Sequence, residues 1–485
     1  MKNYNVYKEL AKGHTVVPVF EEIDADMETP VSLYIKVGGE FLLESLEQGA
    51  HVGRYSILGM ERILTVTLKG RTVETVNHLD DSVSRVETTD FLMFLGNLIK
   101  AYEPPQLPEL PPFWGGLVGY LGYETAGFIE SIPLAAPEAD DIPDAILVVP
   151  RTVIICDSVK RTALIVSITL PGRGLKEEFK KARERIEAVI ELITKQVPTL
   201  ADSHCLQGVI TGYQPSSGDF VAMVNDCKEH IRAGDIIQAV LSRSTFLKTD
   251  EAPFSLYRKL RRANPSPYMF FLDYGEFVLA GSSPEVMVRV QGNELFLKPI
   301  AGTRPRGKTV KEDSVLAEEL LQDPKERAEH LMLVDLGRND IGKVAAPGSV
   351  EVTNFMTVEK FSHVMHLVSS VRGRLRAGLD SFDVIRATFP AGTLTGAPKI
   401  RAMEIISKLE GNRRGHYGGM ILYLGFSGNM DSCITIRSMV CRNGVAAIRS
   451  GAGIVADSIP ENELKETEDK AGALIAAVTG KAGLR

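Results

Sequence analysis

The residues best equipped for chemistry in this sequence are carboxylates at helical spacing. Glu463, Glu466 and Lys470 stand i, i+3 and i+7 and share one helix face, while Leu464, Ala471, Leu474, Ile475 and Val478 make the apolar face. A second pair, Glu326 and Glu329, repeats the three-residue spacing. Glu329 leads into the apolar run Leu331-Met332-Leu333-Val334, where a carboxylate costs free energy unless it is paired or bound to a cation. An isolated ExxE is ordinarily a solvated stripe. Here the stripe follows a candidate anion site. Asn443-Gly444 lies between two apolar runs and predicts a type I′ hairpin turn, and counting outward puts Arg437 opposite Ser450 and beside Gly451. A guanidinium and the bare amides of the Gly451-Ala452-Gly453 corner then face one place, where an anion can bind.

Two helices bearing hard oxygen ligands suit magnesium, which keeps coordination positions open for an anionic substrate. His363 and His366 have a zinc-compatible spacing, but no third soft ligand stands near them and the chain contains no ExxH, which speaks against zinc and di-iron sites. A histidine between apolar neighbours is more often part of a satisfied core than a catalyst.

These side chains must be positioned by elements the sequence also announces. Ser458-Ile459-Pro460-Glu461 resembles a capping box and starts the last helix near Pro460. Asp323-Pro324-Lys325-Glu326 starts the other acidic helix, with aspartate at the N-cap and proline at the first helical position. The loop Pro390-Ala-Gly-Thr-Leu-Thr-Gly-Ala-Pro-Lys399 enters a helix running to about Leu409. Residues 286–290 and 294–298 flank Gly292-Asn293 as a further hairpin.

Upstream, Val31 to Val37 alternates like a half-buried strand, and Glu44-Ser45 reads as a surface turn. Strands are expected at 62–68, 72–77, 145–149 and 152–156, with a polar helix from about Leu175 to Lys195. Residues 104–112 form a proline-rich connector, and residues 113–123 are glycine-dense through close backbone packing. The Pro, Gly and Ser-bearing stretch 196–218 is the best domain boundary, followed by an amphipathic helix from Asp219 to Ala233. Hairpins interrupted by long helices predict an α+β fold with antiparallel sheets rather than a doubly wound one.

Composition narrows the partners. The 485 residues are 44% apolar and 24% charged with a net charge of −7, which argues against nucleic acid or an anionic membrane as the main partner. No run of 18 apolar residues occurs and the N-terminus lacks the apolar core of a signal peptide, so a soluble protein remaining in a reducing cytoplasm is expected. The five cysteines are odd in number, show no CxxC spacing, and read as mostly buried free thiols.

Taken together, PIAGTRPRG (299–307), ERAEHLMLVDLGRNDIG (326–342), HVMHLVS (363–369), PAGTLTGAPKIRAMEII (390–406) and GAGIVADS (451–458) resemble the chorismate-utilising enzyme family through essentially all of residues 215–480. Within it, the sequence looks most like anthranilate synthase large subunits. Ala301 stands where aminodeoxychorismate synthases have a lysine nucleophile, and Gln238 where the water-adding isochorismate and salicylate synthases have a lysine base.

The resemblance implies a catalytic region at 215–485 and an N-terminal α+β region at 1–200 that contributes a tryptophan feedback site. It implies Glu329 and Glu466 as Mg²⁺ ligands with Glu326 and Glu463 close by. Gly302, Thr303, Gly451, Ala452, Gly453 and Lys470 would hold the ring end of chorismate, and Tyr417 and Arg437 its enolpyruvyl carboxylate. His366 would take the ring proton, with Thr393 near it. Ser45, Pro267, Tyr268 and Met269 would bind L-tryptophan as inhibitor, although Leu422 replaces a small residue usual near that site. No Gly-x-Cys-x-Gly elbow is present, so ammonia would come from solution or from a separate glutamine amidotransferase subunit. The competing expectations are an aminodeoxychorismate synthase and a tryptophan-sensing binding protein without catalysis.

Overall fold

The computed structural model describes residues 1, 3–46, 53–136, 141–197, 207–360 and 364–480. His363, Cys205, His51 and part of the expected boundary at 196–218 lie outside them. Every strand pairing among the described residues is antiparallel, and helices pack on the sheet, as an α+β fold requires. The pairing runs across the whole chain: Phe41–Glu44 pairs with Tyr268–Asp273, and Gly116–Leu121 pairs with Met420–Gly425. One hydrophobic cluster accordingly mixes Trp114, Tyr120 and Val148 with Leu424, Phe426 and Met430.

The Asn443-Gly444 hairpin forms as the sequence predicts. Strands Ser438–Arg442 and Val445–Ile454 close on Arg442↔Val445, and both turn residues have positive φ, +51° and +73°. The ladder ends at Met439↔Ile448, however, because Arg437 itself adopts φ +51° and leaves the sheet.

Several local expectations are corrected. Pro30–Val37 is a helix, not a strand: Thr29 and Ser32 form a reciprocal capping box, Pro30 opens the first turn, and Gly38 closes the helix in the left-handed conformation. Apolar alternation over seven residues was outweighed by its termini. Glu44 is no surface turn residue. It is 3% exposed and receives a two-pronged ion pair from Arg261 together with the Tyr257 hydroxyl. The two expected strands at 145–149 and 152–156 are one, Ala145–Asp157, which carries Pro150 where the partner strand is irregular between Arg62 and Leu64. The last helix, Pro460–Thr479, starts where expected but without a side-chain cap; Ser458 Oγ instead accepts a bond from the Val455 amide at 3.0 Å. No helix is long and apolar enough to cross a membrane among the described residues, and Cys156, Cys227, Cys433 and Cys441 are free thiols.

The elements Gln238–Lys248, Lys399–Glu410 and Val445–Ile454 are bolted together by a buried charge cluster. Glu410, at the end of the Lys399–Glu410 helix, accepts from the Ser242 amide and hydroxyl, from Arg414 and from Arg449. Burial alone would raise its pKa, but the charges of Arg414 and Arg449 outweigh that and hold it below the usual carboxylate value. Its contribution to stability is therefore present in full above the ordinary carboxylate pKa and is lost as acid protonates it. Replacing Glu410 by Ala leaves two buried guanidinium groups uncompensated and is expected to cost roughly 3–5 kcal/mol. Urea unfolding measures it; a loss under about 1 kcal/mol would contradict this account.

Candidate active site

A cavity of about 610 Å³ opens where strands, helices and loops drawn from residues 238–470 converge, and most of the residues with chemical potential line it. Its floor is the strand Val445–Ile454. Alternation along that strand turns Gly451 and Gly453 to the cavity and Ala452 away, into a core cluster with Phe220 and Ile405. Ala452 is thus the one expected substrate-side residue whose side chain does not reach the cavity. Both glycines are required by close approach. A Cβ on Gly451 would lie 2.5 Å from the Tyr417 hydroxyl, and one on Gly453 would lie 2.6 Å from Gln238 Nε2.

Beside this floor, Lys470 donates to the Gly451 carbonyl at 2.9 Å and pairs with Glu466 at 2.6 Å. Arg437, also in the lining, donates to the Lys470 carbonyl. Burial pushes its pKa down, opposed by Tyr417 and Glu466. A buried guanidinium with two glycines and a lysine next to it makes a site for carboxylates.

Opposite stands the base candidate. His366 lies on the strand Val364–Arg374, paired across from Thr303 of the strand Ile300–Pro305. Its Nδ1 is 2.8 Å from the Gly302 carbonyl and 3.2 Å from Thr303 Oγ1, so Nδ1 carries the hydrogen and Nε2 is the basic nitrogen. Burial lowers its pKa; the Gly302 carbonyl opposes this and the Arg437 charge reinforces it. The ring is neutral near pH 7 and able to accept a proton.

The acidic helices meet along the same cavity. Asp323 caps the Pro324–Gly342 helix, accepting from the Lys325 and Glu326 amides. Glu326 does not complete a capping box; its carboxylate takes a bond from Arg304. Burial raises the pKa of Glu329, and the charges of Glu326 and Glu466 raise it further. Glu463 is raised by burial and by Glu466. No three acidic or histidine side chains among the described residues stand close enough to hold a metal jointly. The donor set nevertheless fits a hard cation: four carboxylates from two helices repel one another here and are offset by Lys470, Lys325 and Arg304.

One functional candidate escaped the sequence reading. Glu285 lines the cavity next to Thr393, and burial raises its carboxyl to about 7, with the Thr393 hydroxyl and Lys470 pulling the other way. Ser283-Pro284-Glu285 follows an apolar strand directly, and a carboxylate in that position is the signal that was available.

A second, smaller cavity of about 110 Å³ lies elsewhere. It brings together Ser45, Pro267, Tyr268 and Met269, with Leu422 and Asp431 also in its wall. Antiparallel pairing of Met269 with Glu44 joins the two stretches. The Tyr268 hydroxyl is 3.0 Å from Asp431, whose carboxyl burial raises to about 6.

Comparisons with known proteins identify the family. The family model for chorismate-binding enzymes matches residues 47–476. Anthranilate synthase component 1 of Aquifex aeolicus is 42% identical over 479 residues, covering 97% of this chain and 96% of its own length. The Pseudomonas aeruginosa protein of that name is 42% identical, with 96% of each chain covered. Among solved structures, anthranilate synthase component I from Streptococcus pneumoniae superposes with a TM-score of 0.78 at 35% identity, over 94% of this chain and 99% of that one. The menaquinone-specific isochorismate synthase of Escherichia coli shares the fold alone, at 20% identity and a TM-score of 0.71 over 98% of both chains. With the family model matched along most of its length and such relatives aligned end to end, the chain belongs to the chorismate-binding enzymes.

Proposed function

We propose that the chain converts chorismate and ammonia to anthranilate and pyruvate, as the large subunit of a two-component lyase. What supports this most is the pairing, in one cavity, of a neutral histidine base with a carboxyl whose pKa is near 7. The reaction needs both. Ammonia adds to the ring as the ring hydroxyl leaves, and a protonated Glu285 can give that leaving group its proton so that it departs as water. His366 Nε2 then takes a ring proton while the enolpyruvyl ether bond breaks, which leaves an aromatic ring and releases enolpyruvate, and a proton taken up at its methylene carbon makes this pyruvate.

Arg437 and Tyr417 orient the enolpyruvyl carboxylate. Gly302, Thr303, Gly451, Gly453 and Lys470 hold the ring end. Glu329 and Glu466, with Glu326 and Glu463 beside them, would hold Mg²⁺, which neutralises the ring carboxylate. Ala301, buried at the cavity wall, offers no nucleophile, which favours this reading over a covalent aminodeoxychorismate mechanism.

Glutamine would supply the ammonia through a separate amidotransferase subunit in the cytoplasm. The second cavity would bind L-tryptophan as feedback inhibitor, with residues 1–200 contributing Ser45 and the catalytic region 215–485 contributing Pro267, Tyr268 and Met269.

Purified protein mixed with chorismate, Mg²⁺ and ammonium is expected to generate anthranilate fluorescence. His366→Ala should retain chorismate binding but release no pyruvate, and full turnover by that variant would remove His366 from the mechanism.

The rate should rise as pH passes the depressed His366 pKa, below its ordinary value of 6.5, and fall as pH passes about 7, where Glu285 ionises. Glu285→Gln is expected to lower kcat by about 10²-fold or more and to abolish the alkaline limb. An unchanged alkaline limb would assign it to another group.

Titrating L-tryptophan into the assay should inhibit the enzyme and raise its Tm. Neither effect at millimolar tryptophan would exclude the second cavity as a tryptophan site.

A further inference from the structure

Glu329 and His366 sit on different elements, the Pro324–Gly342 helix and the Val364–Arg374 strand, and the proposed reaction needs them at a fixed separation. A buried polar contact joins those elements close to both residues. His330, the neighbour of Glu329, is 0% exposed, and its Nε2 lies 2.7 Å from the hydroxyl of Ser369, also 0% exposed and three residues beyond His366. The serine hydroxyl is uncharged, so the contact is a directional hydrogen bond.

The Ser369 hydroxyl has a second partner. It accepts a bond from the Met356 amide at 2.9 Å, on the neighbouring strand Glu351–Lys360. That strand is distorted at this point. Its pairing passes from Thr353↔Ser370 directly to Thr357↔Val368, so three residues on one side span a single residue, Ser369, on the other. Asn354 and Met356 both take positive φ, +50° and +51°. A bulky residue such as methionine in that region is strained and persists only where its surroundings fix it. Ser369 is the residue opposite the bulge, and its side chain provides one of the bonds that fix it.

We propose that His330, Ser369 and the 354–356 bulge form one fastening that sets the position of Glu329 relative to His366, which makes His330 and Ser369 positioning residues for the reaction. The inference rests on the metal and base roles given to Glu329 and His366 above. An apolar pair at these two positions would bury similar area, but apolar surfaces slide over one another, whereas a 2.7 Å hydrogen bond has one geometry. Catalytic groups must be held to within about 0.5 Å, and a displacement of about 1 Å can cost on the order of 10²-fold in rate. The bulge supplies what a regular ladder does not: a main-chain donor aimed at Ser369 that anchors the hydroxyl from the neighbouring strand.

The test compares Ser369→Ala, His330→Phe, the double variant, Ser369→Thr and a packing control, Leu320→Ala. Leu320 is 0% exposed and packs in a cluster with Met365 and Leu367 of the same strand. Ammonia-dependent kcat, chorismate KM, the Mg²⁺ concentration for half-maximal activity and Tm are measured for each. Ser369→Ala and His330→Phe are each expected to lower kcat and raise the Mg²⁺ requirement by about tenfold or more, with chorismate KM within about twofold of wild type. The double variant should be no worse than the poorer single one, and Ser369→Thr, which keeps the hydroxyl, should recover most of the activity. Leu320→Ala should lower Tm without altering the Mg²⁺ requirement. If the two single variants change only Tm, if their effects multiply, or if Leu320→Ala shifts the Mg²⁺ requirement equally, the fastening is merely structural. A wild-type enzyme that turns over in EDTA would overturn the metal reading instead, and the fastening would then be decided by whether the kcat losses multiply.

Discussion

The structure depends on a buried carboxylate. Glu410 accepts hydrogen bonds from Ser242 on one strand, Arg449 on the next and Arg414 beyond the helix end, at 2.8 to 3.0 Å. Three buried charges are expensive to desolvate, and such a group is tolerated only when nearly every donor and acceptor is engaged. Here they are: Arg414 also donates to the Leu394 and Val240 carbonyls, and Arg449 to the Arg413 carbonyl and the Asn412 side chain. The cluster has one geometry, so the segments it joins have one relative placement. Those segments carry Gly451, Gly453, Gln238 and Tyr417. The Arg414 guanidinium lies over the Tyr123 ring at 4.7 Å and the Tyr417 ring at 5.7 Å, which fixes Tyr417 above Gly451.

Above that foundation the cavity sets opposite charges side by side, with Lys470 paired to Glu466 where they meet. Arg437, Lys470 and the glycine amides make one region attractive to carboxylates, and the glutamates of two helices make another attractive to a cation. Burial strengthens both fields. It also drives the two proton-transfer candidates in opposite directions, depressing His366 and elevating Glu285, because it disfavours imidazolium and carboxylate alike. A single physical cause thus leaves a base unprotonated and an acid protonated at the same pH.

The parts of this site legible in the sequence were those set by local rules. Asn443-Gly444 dictated a turn, the turn dictated a register, and the register placed the glycines; Asp323-Pro324 likewise announced its helix. Local rules also misled where two of them competed. Val31 to Val37 alternates as a strand would, but Thr29, Pro30 and Gly38 specify both ends of a helix, and the ends prevailed. Ser458 looked like a cap because capping is judged over four residues, yet its hydroxyl was claimed by Val455. Glu44 was unreadable, and Glu285 was marked only by its place after a strand, for a different reason. The character of Glu44 comes from Arg261, more than a hundred residues distant, and that of Glu285 from burial by segments as distant as the one carrying Thr393, so no window of sequence contains what sets either.

Register carries more of the function than any single side chain does. In the strand Val445–Ile454 the cavity receives positions 451 and 453, and the core receives 452. A slip of one residue would present Ala452 beneath the Tyr417 hydroxyl, where a Cβ on Gly451 would come within 2.5 Å, and would drive glycines into a cluster that Ala452 now fills. Two constraints oppose that slip. The two-residue turn at Asn443-Gly444 fixes the pairing with Ser438–Arg442, and the bonds from Arg449 to Glu410 and Ser242 fix the pairing with Gln238–Lys248. The geometry at the carboxylate end of the cavity is therefore specified by a turn sequence eight residues away and by a buried ion cluster whose Arg449 also lines the cavity.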